Sequence, residues 1–221
     1  MVEPINCRFV SWQEIVEWTR SLADKVMASG YNPKMLLAIA RSGFVPGRLM
    51  SDFMGNPQLY ALKVEHWLDT TAEHTEDAVI PHRASLPVNG KEVLVIDDLV
   101  DTGRSAVQTI KYCKDQGAKE VKLAVMLYLT GSELKPDFFT VRQEEWFWFV
   151  FPWNRTEDLR NLLMKLFEED KQRVMSAKEI QAGLKKYFKL EVSSNELEQV
   201  LHIAARVGKI QFKDLNHIRL G

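Results

Sequence analysis

Apolar positions along the chain fall into two rhythms. MLLAIA (35–40), LYALKV (59–64), EVLVID (92–97) and EVKLAVMLYL (120–129) are short, mostly apolar runs, the form taken by strands buried on both faces of a parallel sheet. Between them the spacing becomes helical. Ser11 and Glu14 form a capping-box pair ahead of Ile15, Trp18, Leu22 and Val26, and Gly30 stops the helix. A helix over 47–54 ends near Gly55, and another places Ala106, Val107, Ile110 and Cys113 on one side before Gly117. Strands alternating with helices of these lengths build right-handed βαβ units, so the pattern predicts an α/β core with a central parallel sheet flanked by helices. Ligand sites in such sheets lie beyond the carboxyl ends of the strands.

The pattern changes after the aromatic run EEWFWFVFPW (144–153). Leu159, Leu162, Leu163, Leu166 and Phe167 give a helix over 156–167, read as a bridge. Ser176 with Glu179 opens a helix carrying Ile180, Leu184 and Phe188, and Ser193 with Glu196 opens another carrying Leu197, Val200, Leu201 and Ala204. KIQF and HIRL then alternate like a small hairpin. Helix, turn, helix, hairpin is a winged-helix pattern in a small α+β domain. The expected division is therefore a domain over 1–153, a bridging helix over 154–172 and a winged-helix-like domain over 173–221. The stretch 65–89 is long, polar and aperiodic, which in a compact domain marks a functional or mobile loop.

Composition narrows the setting. The 221 residues are 46% hydrophobic and 27% charged, with a net charge of −1, so the overall balance calls for no nucleic acid or anionic membrane. The charge is unevenly spread, with 19 basic and 24 acidic groups up to residue 169 but 10 and 6 from residue 170 onward. Cys7 and Cys113 form no disulfide framework and no zinc-type cluster. Neither a signal-peptide pattern nor a stretch of ~20 apolar residues is present, and the expected setting is the cytoplasm, with no membrane partner.

The chemistry concentrates in VLVIDDLVDTGRSA (93–106), where an apolar strand runs into two adjacent carboxylates, a third, and Thr-Gly-Arg-Ser at a helix start. A helix N-terminus after a tight turn aims N–H groups at one point, which suits a phosphate, and the Thr102 and Ser105 hydroxyls add donors. The carboxylates would repel a bare phosphate. They suit the vicinal hydroxyls of a ribose, or a hydrated Mg²⁺. A sugar phosphate satisfies both halves.

Asp97-Asp98-Leu99-Val100-Asp101-Thr102-Gly103 after a strand resembles the phosphoribosyl pyrophosphate (PRPP) signature of type I phosphoribosyltransferases. FVSWQEI near the start, AIARSGFVPGRL (38–49), GAKEVKLAV (117–125) and FPW (151–153) are similar, in order, to the xanthine-guanine type of that family. The resemblance covers roughly residues 9–153 and implies the type I fold with a hood. It also implies the reaction, in which a purine nitrogen displaces Mg²⁺-bound pyrophosphate from C1 of the ribose to give a nucleoside monophosphate. It assigns Asp97 and Asp98 to the ribose hydroxyls, with Asp98 nearer the Mg²⁺. Asp101, Thr102, Gly103, Arg104 and Ser105 would hold the 5′-phosphate, and Asp101 would take or share the base's imidazole proton as the catalytic group. Arg41, Ser42 and Gly43 would hold pyrophosphate in a loop that in this family often carries a non-proline cis peptide bond. Loop 65–89, with His66, His74 and His82 and with Trp67 near its start, would be a lid over PRPP.

Val100, Leu129, Trp148 and Phe149 are the implied nucleobase contacts. The family places an aromatic ring just before its Pro-Trp pair, which counts to Trp148, with Trp146 and Phe149 as neighbours in an aromatic run two residues longer than expected. The informative departure is Leu129. It stands where the xanthine-guanine type carries a lysine that donates to the 6-oxo group, and without that ammonium the penalty against a 6-amino purine is gone. The expectation is a purine phosphoribosyltransferase of 6-oxopurine ancestry that favours adenine, giving AMP. The alternatives are a 6-oxopurine enzyme for hypoxanthine, guanine or xanthine, or a PRPP-sensing regulator with a winged helix. Helix 194–207 carries Glu196 and Glu198 near its start and Arg206 only at its end, so DNA is not the expected partner. The exposed aromatic strand points to a homodimer or higher homo-oligomer.

Overall fold

The computed structural model describes residues 2–66, 78–82, 85–168, 170, 173–213 and 217–221. In chain order the elements are β1 (Cys7–Phe9), α1 (Trp12–Ala28), β2 (Met35–Ala40), α2 (Phe44–Phe53), β3 (Leu59–Lys63), β4 (Glu65–His66) and β5 (Ala78–Val79). They continue with β6 (Glu92–Val100), α3 (Arg104–Asp115), β7 (Glu120–Leu129), β8 (Phe138–Gln143) and β9 (Trp148–Val150). The chain ends with α4 (Arg155–Lys165), β10 (Met175–Ser176), α5 (Ala177–Phe188), α6 (Ser194–Arg206), β11 (Ile210–Phe212) and β12 (His217–Leu220). By contacts it divides into two compact units, Trp12–Glu145 and Met1–Ser11 with Trp146–Gly221.

The Trp12–Glu145 unit holds a five-stranded sheet in the order β3-β2-β6-β7-β8, every neighbouring pair parallel. Strand residues alternate between its faces. Met35, Leu37, Val93 and Val95 share one cluster with Ala106 and Cys113 of α3. On the opposite face Ala38 lies under Gly47 of α2, which packs on α1. The order reverses direction between β2 and β6, making their carboxyl ends the topological switch point.

Three boundaries differ from the sequence pattern. Helix α2 begins at Phe44, three residues earlier than expected, because Pro46 falls in its first turn, where the missing N–H has no intrahelical role. Strand β6 continues past its expected end at Asp97 to Val100, so Asp98 also belongs to the strand and only residues 101–103 form the turn. Strand β8, an edge strand with no fully buried residue, was not visible as an apolar run.

In the second unit β1 and β9 pair in parallel, Cys7 with Trp148 and Phe9 with Val150. Helices α4, α5 and α6 pack on one another, and β10-β12-β11 forms an antiparallel sheet beside them, a winged-helix arrangement. Ser176 and Glu179 form the expected capping box at α5. Leu159, Leu162 and Leu163 of α4 share one apolar core with Leu184, Phe188, Leu197 and Leu201, and that core also contains Cys7 and Val150. The bridging helix of the sequence is thus one wall of a core to which both chain ends contribute.

Leu162 is fully buried there. Leu162→Ala should cost about 2–5 kcal/mol, the usual loss for a core leucine. Urea unfolding checks it, and a loss below ~1 kcal/mol would mean that α4 contributes little to the core.

Candidate active site

The site is assembled at the switch point. Strand β2 ends at Ala40, and the Ala40–Arg41 peptide is cis, as the family resemblance leads one to expect. Arg41, Ser42 and Gly43 then lead into α2. At Gly43 a Cβ would stand 2.7 Å from the carbonyl oxygens of Ile39 and Ile96 and 2.9 Å from the Asp97 Cα. The loop after β2 therefore lies directly against the end of β6.

Strand β6 delivers the second loop. Asp97, Leu99, Val100 and residues 101–106 line a cavity of about 120 Å³, enough for a phosphate group rather than a whole substrate. Gly103 is the N-cap of α3 at φ 86°, left-handed geometry that glycine tolerates. Having no side chain, it cannot cap the helix; the Arg104 amide donates to the Thr102 Oγ1 at 3.5 Å, and the first turn of α3, the positive end of its dipole, lines the cavity. A Cβ at Gly103 would also meet the Leu134 Cβ at 2.7 Å and the Ser132 Oγ at 3.0 Å. The loop after β7 thus braces the turn between β6 and α3, a contact that no sequence signal marked. Ser132 holds that loop in shape, its amide donating to the Leu129 carbonyl at 3.0 Å and its Oγ to the Leu134 carbonyl at 3.1 Å.

The two strand carboxylates differ. Asp97 lines the cavity, and its carboxyl is pushed well above the usual carboxylate range, first by burial and then by the charge of Asp98, against the opposing effect of the Asp98 amide, which donates to it at 3.0 Å. Asp98 is more deeply buried, does not line this cavity, and its Oδ1 accepts from the Leu99 amide at 2.8 Å. A hydroxyl donor or a cation beside Asp97 would offset both causes of its shift, so the acidic pair fits either a ribose or a Mg²⁺. Among the described residues no three His, Cys, Asp or Glu side chains converge as a metal site.

The implied base contacts are distributed over both units. Val100 is buried at the cavity, and Leu129 is buried at the end of β7, one residue past the Val100–Tyr128 pairing. Trp148 and Phe149 lie on β9 in the other unit. Trp148 packs on the C-terminal core and meets Trp146 edge-on at 6.5 Å. Phe149 is buried and lies in a ladder of rings with Phe147 at 6.1 Å and Phe151 at 6.5 Å. Of the expected lid, β4 and β5 pair as a short antiparallel ribbon, whereas Trp67 and His74 lie outside the described residues. Both thiols are buried, and burial raises Cys113 to about 11, while burial and then the charge of Asp158 raise Cys7 to about 12, so neither is a nucleophile. No helix of the described residues is long and apolar enough to cross a membrane.

Sheet and loops define the class, a parallel α/β protein in which the loops after β2 and β6 meet beyond the carboxyl ends of adjacent strands, where such sheets hold their ligands. Residues 8–157 match the phosphoribosyl transferase domain, and the chain belongs to the phosphoribosyltransferase family, with the type I fold. It is 30% identical over 147 residues to a xanthine-guanine phosphoribosyltransferase of Idiomarina loihiensis, covering 66% of this chain and 86% of that protein. It resembles the crystal structure of a purine phosphoribosyltransferase from Pyrococcus horikoshii, with a TM-score of 0.59 and 28% identity over 67% of this chain and 94% of the other. A transcriptional regulator, GfcR of Methanocella arvoryzae, is 28% identical over 102 residues, 46% of this chain and 49% of the regulator.

The raised Asp97 carboxyl gives a stability test. A group that holds its proton more tightly in the fold than in the open chain subtracts stability as pH rises from the ordinary carboxylate range through the raised value. Asp97→Asn should therefore melt higher than the parent at about pH 8, with the difference shrinking towards about pH 4. Equal melting temperatures at the higher pH would show that the charge is not penalised.

Proposed function

We propose that the protein transfers the ribose 5-phosphate of PRPP to a purine base, releasing pyrophosphate and forming the nucleoside monophosphate. The observation that carries this reading is the pairing of the 41–43 loop with the 97–105 loop across the switch point, one suited to pyrophosphate and the other to a sugar phosphate. In this reading the amides of 102–105 and the Thr102 and Ser105 hydroxyls hold the 5′-phosphate. Asp97, with Asp98 behind it, accepts from the ribose hydroxyls, and Arg41 faces the leaving group. Mg²⁺ carried on PRPP would neutralise the departing pyrophosphate, with the acidic pair as its protein neighbour. The protein's own share is positioning, exclusion of water and stabilisation of separated charge. Asp101 follows the strand end beside the expected base and accepts or shares its imidazole proton.

Adenine is the proposed base. A buried Leu129 offers no donor to a 6-oxo group and no penalty to a 6-amino group, whereas a lysine there would do both. The name of the Idiomarina relative favours the second reading, a 6-oxopurine substrate.

Initial rates with PRPP and each of adenine, hypoxanthine, guanine and xanthine decide between them. Adenine should show the highest kcat/KM, and a clear preference for a 6-oxopurine would establish the second reading. Turnover with none of the four would remove the enzyme reading. Asp101→Asn should lower kcat by about 10²–10⁴-fold, the range for a lost general acid-base group, with the melting temperature preserved. Near-parental kcat would take Asp101 out of the proton transfer.

A further inference from the structure

A backbone amide, unlike a long side chain, cannot be aimed by a change of rotamer, and its direction is set by φ and ψ alone. The turn that joins β6 to α3 therefore has to be held in shape. Gly103, buried at φ 86°, gives it no side-chain cap, and glycine is the residue with the widest conformational freedom. The Arg104 amide reaches the Thr102 Oγ1 only at 3.5 Å, the outer limit of a hydrogen bond. What packs against the turn then matters to its shape.

That neighbour is the turn after β7. Around the position of a Cβ on Gly103 the nearest atoms are the Leu134 Cβ at 2.7 Å, the Ser132 Oγ at 3.0 Å and the Leu134 amide nitrogen at 3.4 Å. One hydroxyl closes this second turn in both senses, since Ser132 Oγ accepts from the Leu134 amide at 3.2 Å and donates to the Leu134 carbonyl at 3.1 Å. The Ser132 amide donates to the Leu129 carbonyl and the Thr130 amide to the Gln143 carbonyl at 2.9 Å, which anchors the turn to the ends of β7 and β8. Leu134 packs against the apolar cluster that contains Val100 and Ala106, the two residues flanking the 101–105 segment. Neither Ser132 nor Leu134 lines the 120 Å³ cavity, and both belong to the same Trp12–Glu145 unit as the turn they touch.

We propose that Ser132 and Leu134 are positioning residues for the 5′-phosphate of PRPP, acting through the 101–103 turn. The inference rests on the reading that residues 101–105 take that phosphate. Removing the Ser132 hydroxyl opens the 132–134 turn and gives Gly103 room to leave its left-handed geometry. The amides of 102–105 then sample several directions, and a phosphate must order them before it is held, which weakens its binding. Pyrophosphate, assigned to the 41–43 loop, escapes this effect, because that loop is fixed at Gly43 against the end of β6.

Calorimetric titration of the full chain with ribose 5-phosphate and, separately, with Mg²⁺-pyrophosphate distinguishes the two loops. Ser132→Ala removes both hydroxyl bonds, and Leu134→Ala keeps the Cβ at Gly103 but loses the packing behind it. Each should weaken ribose 5-phosphate about fivefold to tenfold and leave pyrophosphate within about twofold, and in turnover each should raise KM for PRPP but not for the base. Ser132→Thr retains a hydroxyl and should bind within about twofold of the parent, whereas a loss equal to that of Ser132→Ala would overturn the role given to the hydroxyl. Glu133→Ala, an exposed change between the two residues, should alter neither ligand. Thr102→Val and Ser105→Ala test the underlying reading. If the parent binds no ribose 5-phosphate, or these two variants bind it as the parent does, the phosphate does not lie at 101–105, and the reading and this inference fall together. If they weaken it while the folded Ser132→Ala and Leu134→Ala proteins keep parental affinities, or lose both ligands in step, only the positioning role is overturned.

Discussion

The whole site depends on one close approach. At Gly43 the chain after β2 passes so near the end of β6 that a single methyl group would collide with two carbonyl oxygens and a Cα atom. That contact brings a loop suited to one anion beside a strand end carrying two carboxylates. Parallel register alone would set β2 and β6 side by side, as the pairing of Ala38 with Ile96 does, but the loops beyond could still diverge. Absence of a side chain keeps them together. Gly103 is the counterpart one loop further on, where absence of a side chain admits Ser132 and Leu134 and leaves the α3 amides uncapped by their own N-cap residue.

Electrostatics and packing oppose each other at this point. Burial and then the charge of Asp98 push the Asp97 carboxyl above the usual carboxylate range, so ionising it works against the fold. Such a cost is typical of a residue retained for its ligand, because a hydroxyl donor or cation that removes the penalty is bound more tightly for doing so.

Much of this was legible in the residues. The runs at 35–40 and 120–129 coincide with strands, and the Asp97–Gly103 segment marked the turn from β6 into α3 because turn geometry is a local property. What could not be read was non-local. Strand β1 is three residues of mixed character that become a strand only when β9 lies beside them, and β8 is an edge strand without a continuous buried run. Glu196 looked like half of a capping box, and locally it is. An arginine forty-one positions earlier offers its carboxylate a charged fork, which a backbone amide does not match. The bracing loop at 132–134 has no motif, since its role is to fill the space a glycine leaves.

The C-terminal unit is discontinuous, built from the first eleven residues and everything after residue 145. During synthesis the Trp12–Glu145 segment contains all five strands of its sheet and has the means to collapse as soon as it emerges. The β1 segment emerges first yet has no partner until β9 appears well over a hundred residues later, and its apolar side chains have no core until α5 and α6 follow. Closing that loop is among the most non-local steps this chain must take, and such steps are slow. The order of folding is therefore the reverse of the order of synthesis for the amino-terminal strand. The amino-terminal strand, though made early, is thus completed late, within its own unit.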